Sequence, residues 1–225
     1  MRLPGLFITG TDTGIGKTWV TQALMAGFIS QGKKTLGMKP VASGCQQTPE
    51  GLRNEDALAI QSAASWRLEY SRVNPYAFEP AIAPHIAAAE AGVELSLESM
   101  ARQAQQLRAK CDVLVVEGVG GWLVPLDAKS TVADLARCLE LPLVLVVGMR
   151  LGCLNHALLS AESIMASGLP FLGWIANCIE PEYSRAEENL QTLKERMPVS
   201  YLGQMPYAES VEAAISGVDF DWNRF

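Results

Sequence analysis

Apolar positions recur along the chain as short unbroken runs, each followed by a loop and then by a stretch with apolar residues every three or four positions. Residues 6–9 form the first run, and glycine-rich sequence follows it. From Lys17 the apolar residues fall at Val20, Ala23, Leu24 and Phe28, a helical spacing that Gly32 ends. Residues 35–39 read as a second strand closed by Pro40. Residues 113–116 and 143–147 are the clearest strand cores: continuous Val/Leu runs without alternation, as expected of strands covered on both faces. Residues 154–167 read as a helix ending at Gly168. A strand at 171–176, a polar helix at 186–196 and a short strand at 201–203 follow. Strands alternating with helices predict a layered α/β fold with a mainly parallel sheet. Residues 48–99 are less regular. They carry a helix at 54–65, a loop with Pro75, Pro80 and Pro84, and a helix from Pro84, together read as an insertion over the sheet edge.

Composition narrows the class. The 225 residues are 49% hydrophobic and 19% charged, which excludes a disordered or fibrous chain and suits one large domain, 1–225. A net charge of −6 argues against nucleic acid as a partner. The longest apolar run, 141–147, is far short of the ~18 residues a membrane span needs. The apolar stretch after Met1 and Arg2 is too short for a signal peptide. The five cysteines are widely spaced without a C-x-x-C, and only His85 and His156 are available beside them, so no zinc site is expected. Reduced thiols and a cytoplasmic location are the expectation. Trp66, Trp122 and Trp174 are expected to pack, His85 to be structural, and His156 either to pack or to shape a pocket.

Between the first strand and the first helix lies GTDTGIGKT, residues 10–18. A loop in that position wraps backbone N–H groups around phosphates, aided by the helix N-terminus. Gly14, Ile15, Gly16, Lys17, Thr18 and Trp19 would hold the nucleotide, with Lys17 across the β- and γ-phosphates and Thr18 on Mg²⁺. The match to G-x4-G-K-[ST] is offset, since Thr11 stands where glycine is wanted and Gly10 lies one place early. Glu117 ends another buried strand, at the sheet edge where a carboxylate can hold the metal, and Gly118, Val119 and Gly120 continue into a backbone that can approach a ligand. Lys39 ends the second strand at the same edge and is a candidate for neutralising a second anion. Ser43 offers a hydroxyl nearby. Asp56 is either a first-turn helix carboxylate or a metal ligand. These residues point to a Mg²⁺-dependent nucleotide hydrolase or phosphoryl-transfer enzyme.

The segments ITGTDT (8–13), KPVASG (39–44), TPEGLRN (48–54), NPY (74–76), VEG (116–118) and GCLNH (152–156) closely resemble the dethiobiotin synthetases. The resemblance runs from the first strand to about Asn177. It implies a single-domain, three-layer P-loop NTPase-like fold, a homodimer, and ATP with Mg²⁺ as cofactors. It implies carboxylation of one amine of 7,8-diaminopelargonic acid by CO2, phosphorylation of the carbamate, and ring closure by the second amine. By the same resemblance Lys39 and Lys17 are catalytic, and Lys39→Ala is expected to abolish ring closure with nucleotide binding nearly intact. Thr18, Asp56 and Glu117 would surround the metal, and Thr13 and Ser43 would contact the diamine or carbamate. Asn177 and Cys178, with Pro206, Tyr207, Ala208 and Glu209, would meet the base and ribose. Gly152, Cys153 and Asn155 would reach across the dimer to the substrate's carboxylate tail. Three departures stand out: Gly14 where glutamate is better known, Cys178 where aspartate is common, and no tail-binding tyrosine around Glu187, Glu188 and Asn189. Other readings are a substrate-switched relative and a nucleotide-switched partner-binding ATPase, though the latter carry an extra lysine where this chain has Asp12.

Overall fold

The computed structural model of the protein describes residues 3–225; Met1 and Arg2, at the head of the segment read as too short for a signal peptide, lie outside the described residues. In chain order the elements are β1 (Gly5–Gly10), α1 (Lys17–Ser30), β2 (Thr35–Met38), β3 (Val41–Ala42), β4 (Gln46–Thr48), β5 (Gly51–Arg53), α2 (Glu55–Ser62), α3 (Tyr70–Val73) and β6 (Tyr76–Ala77). Then come α4 (Pro84–Glu90), α5 (Leu97–Arg108), β7 (Val113–Glu117), α6 (Val132–Leu139), β8 (Leu143–Met149), α7 (Cys153–Ala166), β9 (Phe171–Cys178), α8 (Ala186–Arg196), β10 (Tyr201–Met205), α9 (Val211–Ser216) and β11 (Asp219–Phe220).

The main sheet has the order β11-β10-β9-β8-β1-β7-β2. All its pairings are parallel except that of β11 with β10. The unbroken apolar runs are explained by cover on both faces. Leu6, Ile8, Val113, Val115, Val144 and Val146 pack on one side with Val20, Leu24 and Phe28 of α1 and Ile60 of α2. Phe7, Leu114, Val116, Leu145 and Val147 pack on the other, under residues of α4 to α8. Each fully buried Leu, Ile or Val contributes about 1.5–3 kcal/mol.

The predicted strands and helices are all present, most of them longer or shorter by a few residues. The helix expected at 54–65 is the shorter α2, because Asn54 stands outside it as the cap, its side chain accepting from Ala57 N–H. Two small two-stranded sheets, β3 with β6 and β4 with β5, lie at and just before the irregular region, which holds β5 and β6 but not β3. Its end at residue 99 falls inside α5, which packs against β7 and β2 and so belongs to the main layers. Trp122 and Trp174 are buried as expected, but Trp66 is 37% exposed, on the turn after α2 rather than in a core. His156 is exposed on α7, which removes core packing from its two readings. Among the described residues no helix is long and apolar enough to cross a membrane.

β1 lies between β7 and β8, so the chain leaving β1 faces the crevice at the carboxyl ends of the strands, where open α/β sheets bind ligands. β2, β7, β8, β9 and β10 deliver Lys39, Glu117, Arg150, Asn177 with Cys178, and Pro206 to that same edge.

Candidate active site

The loop of residues 11–16 is tied down from behind. Thr11 N–H donates to Val146 O at 3.1 Å, and Asn177 Nδ2 donates to Ile15 O at 2.7 Å. Gly16 adopts φ 73° at the cap of α1, and a Cβ there would come within 2.2 Å of Asn177 Nδ2, so only glycine fits. The Ile15 side chain is buried beneath the loop, against Gly10 and Gly148, and supports it rather than facing a ligand. Gly14, at φ 72° with open space around it, leaves the loop without a side chain at its crest.

Lys17 Nζ donates to Asp12 O at 2.8 Å. One turn of α1 supplies two hydroxyls to one carboxylate: Thr18 Oγ1 donates to Glu117 Oε1 at 2.9 Å and Thr21 Oγ1 to Glu117 Oε2 at 2.8 Å. Lys39 Nζ lies 2.5 Å from Glu117 Oε1 and 3.2 Å from Asp56 Oδ2. Asp56 is both things the sequence left open: it stands in the first turn of α2, and its carboxylate faces the other charged groups.

The electrostatics follow from burial and these pairings. Burial holds Lys17 well down, to about 8, and the Lys39 charge adds to the depression, while Glu117, Asp56 and Asp12 oppose it. Burial would depress Lys39 too, but Glu117 and then Asp56 outweigh it and hold its ammonium above the usual lysine value. For Asp56, burial acts upward and Lys39 with the Thr18 hydroxyl acts downward, leaving the carboxyl below its ordinary value.

These groups line one cavity of about 720 Å³. Lys17, Thr18, Lys39, Ser43, Asp56 and Glu117 all face it. Thr13, Gly14, Gly16 and Trp19 line the loop side, and Val119 and Gly120 the far wall. Gly118 stays with the sheet, its N–H on Ile8 O at 2.9 Å. Ser43 Oγ is buried with no hydrogen-bond partner among the described residues, an unsatisfied hydroxyl facing the cavity.

The remaining expected residues lie outside this cavity. Asn177 is buried and spends its amide on the loop backbone. The Cys178 sulfur accepts from Gln204 Nε2 at 3.2 Å, and burial raises its thiol. Pro206, Tyr207, Ala208 and Glu209 follow β10 at the same edge, with Tyr207 45% exposed. Gly152, Cys153 and Asn155 form the start of α7: Gly152 is its cap at φ 96°, Cys153 is buried and Asn155 exposed. Glu187, Glu188 and Asn189 lie in the first turn of α8, and the tyrosine beside the start of α7 is Tyr183, whose Oη is 3.6 Å from Cys153 Sγ.

Three residues went unread in the sequence as parts of the site. Thr21 carried a signal, since it lies one turn beyond Thr18 on the same helix. Asp12 accepts Thr13 N–H on Oδ1 at 2.7 Å and Arg150 Nη2 on Oδ2 at 2.5 Å. Arg150 had only its place at the end of β8 to point to it.

A buried lysine and threonine at the start of the first helix, with a carboxylate one strand away, define a P-loop nucleotide-binding enzyme. The AAA domain family model matches residues 4–214. The solved MinC:MinD cell division complex of Aquifex aeolicus superposes with a TM-score of 0.58 at 13% identity, covering 93% of this chain and 84% of that one. MinD of Pyrococcus horikoshii complexed with Mg-ADP gives 0.55 at 17%, with the same coverages. These likenesses speak for the fold alone. The ATP-dependent dethiobiotin synthetase BioD of Pseudomonas paraeruginosa is 55% identical over 218 residues, 95% of each chain. That of Xylella fastidiosa is 54% identical over 207 residues, 92% of each, and that of Xanthomonas oryzae 51% over 214, covering 95% of this chain and 96% of the relative. The chain belongs to the dethiobiotin synthetase family, ATP-dependent ligases of biotin biosynthesis.

Proposed function

We propose that this chain carries out its family's reaction as a single domain over residues 1–225, converting 7,8-diaminopelargonic acid, CO2 and ATP to dethiobiotin, ADP and phosphate. The observation that carries the reading is Lys39, held between Glu117 and Asp56 in the same cavity as Lys17, Thr18 and the unsatisfied Ser43 hydroxyl. One amine of the substrate adds CO2 and loses a proton to give a carbamate. A carbamate oxygen attacks the γ-phosphorus and ADP leaves. The second amine then attacks the carbamoyl carbon, the ureido ring closes and phosphate departs. The first transfer brings two anions together, so ammonium groups near the transferred phosphoryl lower its barrier. Lys17 serves the phosphate chain and Lys39 the group in transit. Ser43 and Thr13 orient the carbamate.

Among the described residues no three His, Cys, Asp or Glu side chains cluster to hold a metal by themselves. Mg²⁺ takes one or two carboxylates and completes its shell with phosphates and water, so the hard oxygens of Thr18, Asp56 and Glu117 suit an ion arriving with the nucleotide. There it would supply charge neutralisation on the phosphate oxygens. Asn177, Cys178 and the 206–209 loop are assigned to the base and ribose. Gly152, Cys153 and Asn155 are assigned to a second subunit's substrate carboxylate, in a homodimer working in the cytoplasm. Leu151 just before α7 and Leu159 midway along it, 92% and 58% exposed, support a covered surface on that helix.

The test is incubation with MgATP, bicarbonate and 7,8-diaminopelargonic acid, following ADP and dethiobiotin by mass. ADP release that requires the diamine, one for one with dethiobiotin, is the expected result. ATP bound without diamine-dependent turnover overturns the substrate.

A further inference from the structure

The phosphate loop contains an anion of its own. Asp12 lies two residues beyond the end of β1, between the start of the loop and Thr13. Its carboxylate occupies the Thr13 N–H, and its carbonyl holds the Lys17 ammonium. A polyphosphate arriving at this loop therefore meets a like charge on the same backbone that should receive it. It meets as well a lysine whose retaining partner is the aspartate's own carbonyl. Like charges at this range disfavour binding unless one is neutralised.

Arg150 is placed to do so. It follows β8, the strand paired with β1, so the sheet register sets Gly10 opposite Val146 and brings the two exits side by side. Its guanidinium donates to Asp12 Oδ2, the oxygen that Thr13 leaves free. Its carbonyl accepts Cys153 N–H at 3.0 Å as the chain turns into α7, which fixes the arginine backbone from the other side. The pair is 36% and 42% exposed, so as a surface ion pair it adds little to stability. Its value lies in where the charge sits.

We propose that Arg150 is a positioning residue of the nucleotide site: it neutralises Asp12 and holds that carboxylate aside, so that the loop and Lys17 can receive a polyphosphate. The proposal rests on the ATP reading of the loop and not on the identity of the diamine. It is therefore tested by binding of MgADP and of a non-hydrolysable ATP analogue, measured calorimetrically. Arg150→Ala is expected to weaken both by about tenfold or more, and Arg150→Lys, which keeps the charge, by no more than about threefold. Asp12→Asn combined with Arg150→Ala removes the anion as well as its partner, and is expected to recover to within about threefold of the unaltered protein. A merely structural arginine would give a double variant at least as weak as the single one. Arg150→Gln, neutral but still a hydrogen-bond donor, repeats the loss if the alanine variant does not fold. In turnover the ATP KM should rise while the diamine KM stays within about twofold. Wild-type affinity in both Arg150→Ala and Arg150→Gln, or a double variant no tighter than Arg150→Ala, overturns the proposal. Nucleotide binding in the unaltered protein without diamine-dependent turnover would count against the substrate reading and leave this one standing.

Discussion

Lys39 stands where three demands meet. It is buried, it is the counter-charge of a fully buried Glu117, and it faces the cavity with Lys17. Removing one partner of a buried pair leaves the other charge without compensation. Lys39→Ala should therefore cost about 3 kcal/mol of stability in the nucleotide-free protein as well as about a hundredfold or more in turnover. The sequence led only to the second loss, because nothing in KPVASG tells that the lysine folds back onto Glu117. Urea unfolding and diamine-dependent ADP release check the two parts; a variant retaining a tenth of the turnover refutes the catalytic one. Thr21 makes a smaller claim of the same kind. Thr21→Val keeps the shape and deletes one hydrogen bond to Glu117 Oε2, for a loss of about 1–2 kcal/mol and a few-fold in turnover. Unchanged unfolding and unchanged turnover together would show that Glu117 is held without it.

At the scale of elements, α1 carries the loop, Lys17, Thr18 and Thr21, and its far end is held by the chain terminus. Phe28 meets Trp222 edge-on with ring centroids 5.8 Å apart, and Phe225 at 6.0 Å. Gly27 is the residue that lets the indole in, since a Cβ there would lie 1.8 Å from the Trp222 ring. Helix propensity alone says that Gly27→Ala stabilises α1 by about 1 kcal/mol. Packing says the reverse, and the overlap should win, with a net loss of about 1–3 kcal/mol. Urea unfolding of Gly27→Ala and Trp222→Ala, alone and combined, decides: relief of the alanine penalty in the Trp222→Ala background supports the packing account, and simple additivity rejects it.

The same elements show where a linear reading stops. β1, β7 and β8 were legible because burial on both faces leaves unbroken Val and Leu runs. That Lys17, Thr18, Lys39 and Glu117 gather at one edge was legible because strand ends of a parallel sheet collect there. α5 carried only three buried stripe positions, Met100, Ala104 and Leu107, one of them alanine. β3 and β6 are two-residue strands whose pairing joins Val41 to Tyr76 and Ala42 to Ala77, which no local period records. The loop-bracing contact of Asn177 was not legible, because it joins residues 162 apart in the chain. Asp12 and Arg150 are 138 apart.

The Lys17 ammonium integrates the whole molecule, since the groups that set it come from the phosphate loop, β7, α2 and the exit of β2. Burial brings it to about 8 from an ordinary 10.5. Between those values the unfolded chain holds more protons than the folded one, so this group makes folding stability rise with pH across that window. Nucleotide binding runs the other way. In the role proposed for Lys17 the phosphate chain draws on its ammonium, so the bound state restores the proton that burial had made easy to lose. Binding of MgADP near pH 9 should therefore take up a sizeable fraction of a proton, and its affinity should fall by up to about tenfold per pH unit beyond that point. ADP is the ligand of choice because its phosphates do not titrate there. Calorimetry in buffers of different ionisation enthalpy reads the uptake directly. Near pH 6.5 Lys17 is charged in both states and contributes none. Lys17→Arg, which stays charged throughout, should abolish the uptake near pH 9 in whatever binding remains. Equal uptake in the arginine variant would assign the proton to another group, and no uptake in the unaltered protein would mean that Lys17 keeps its charge despite its burial.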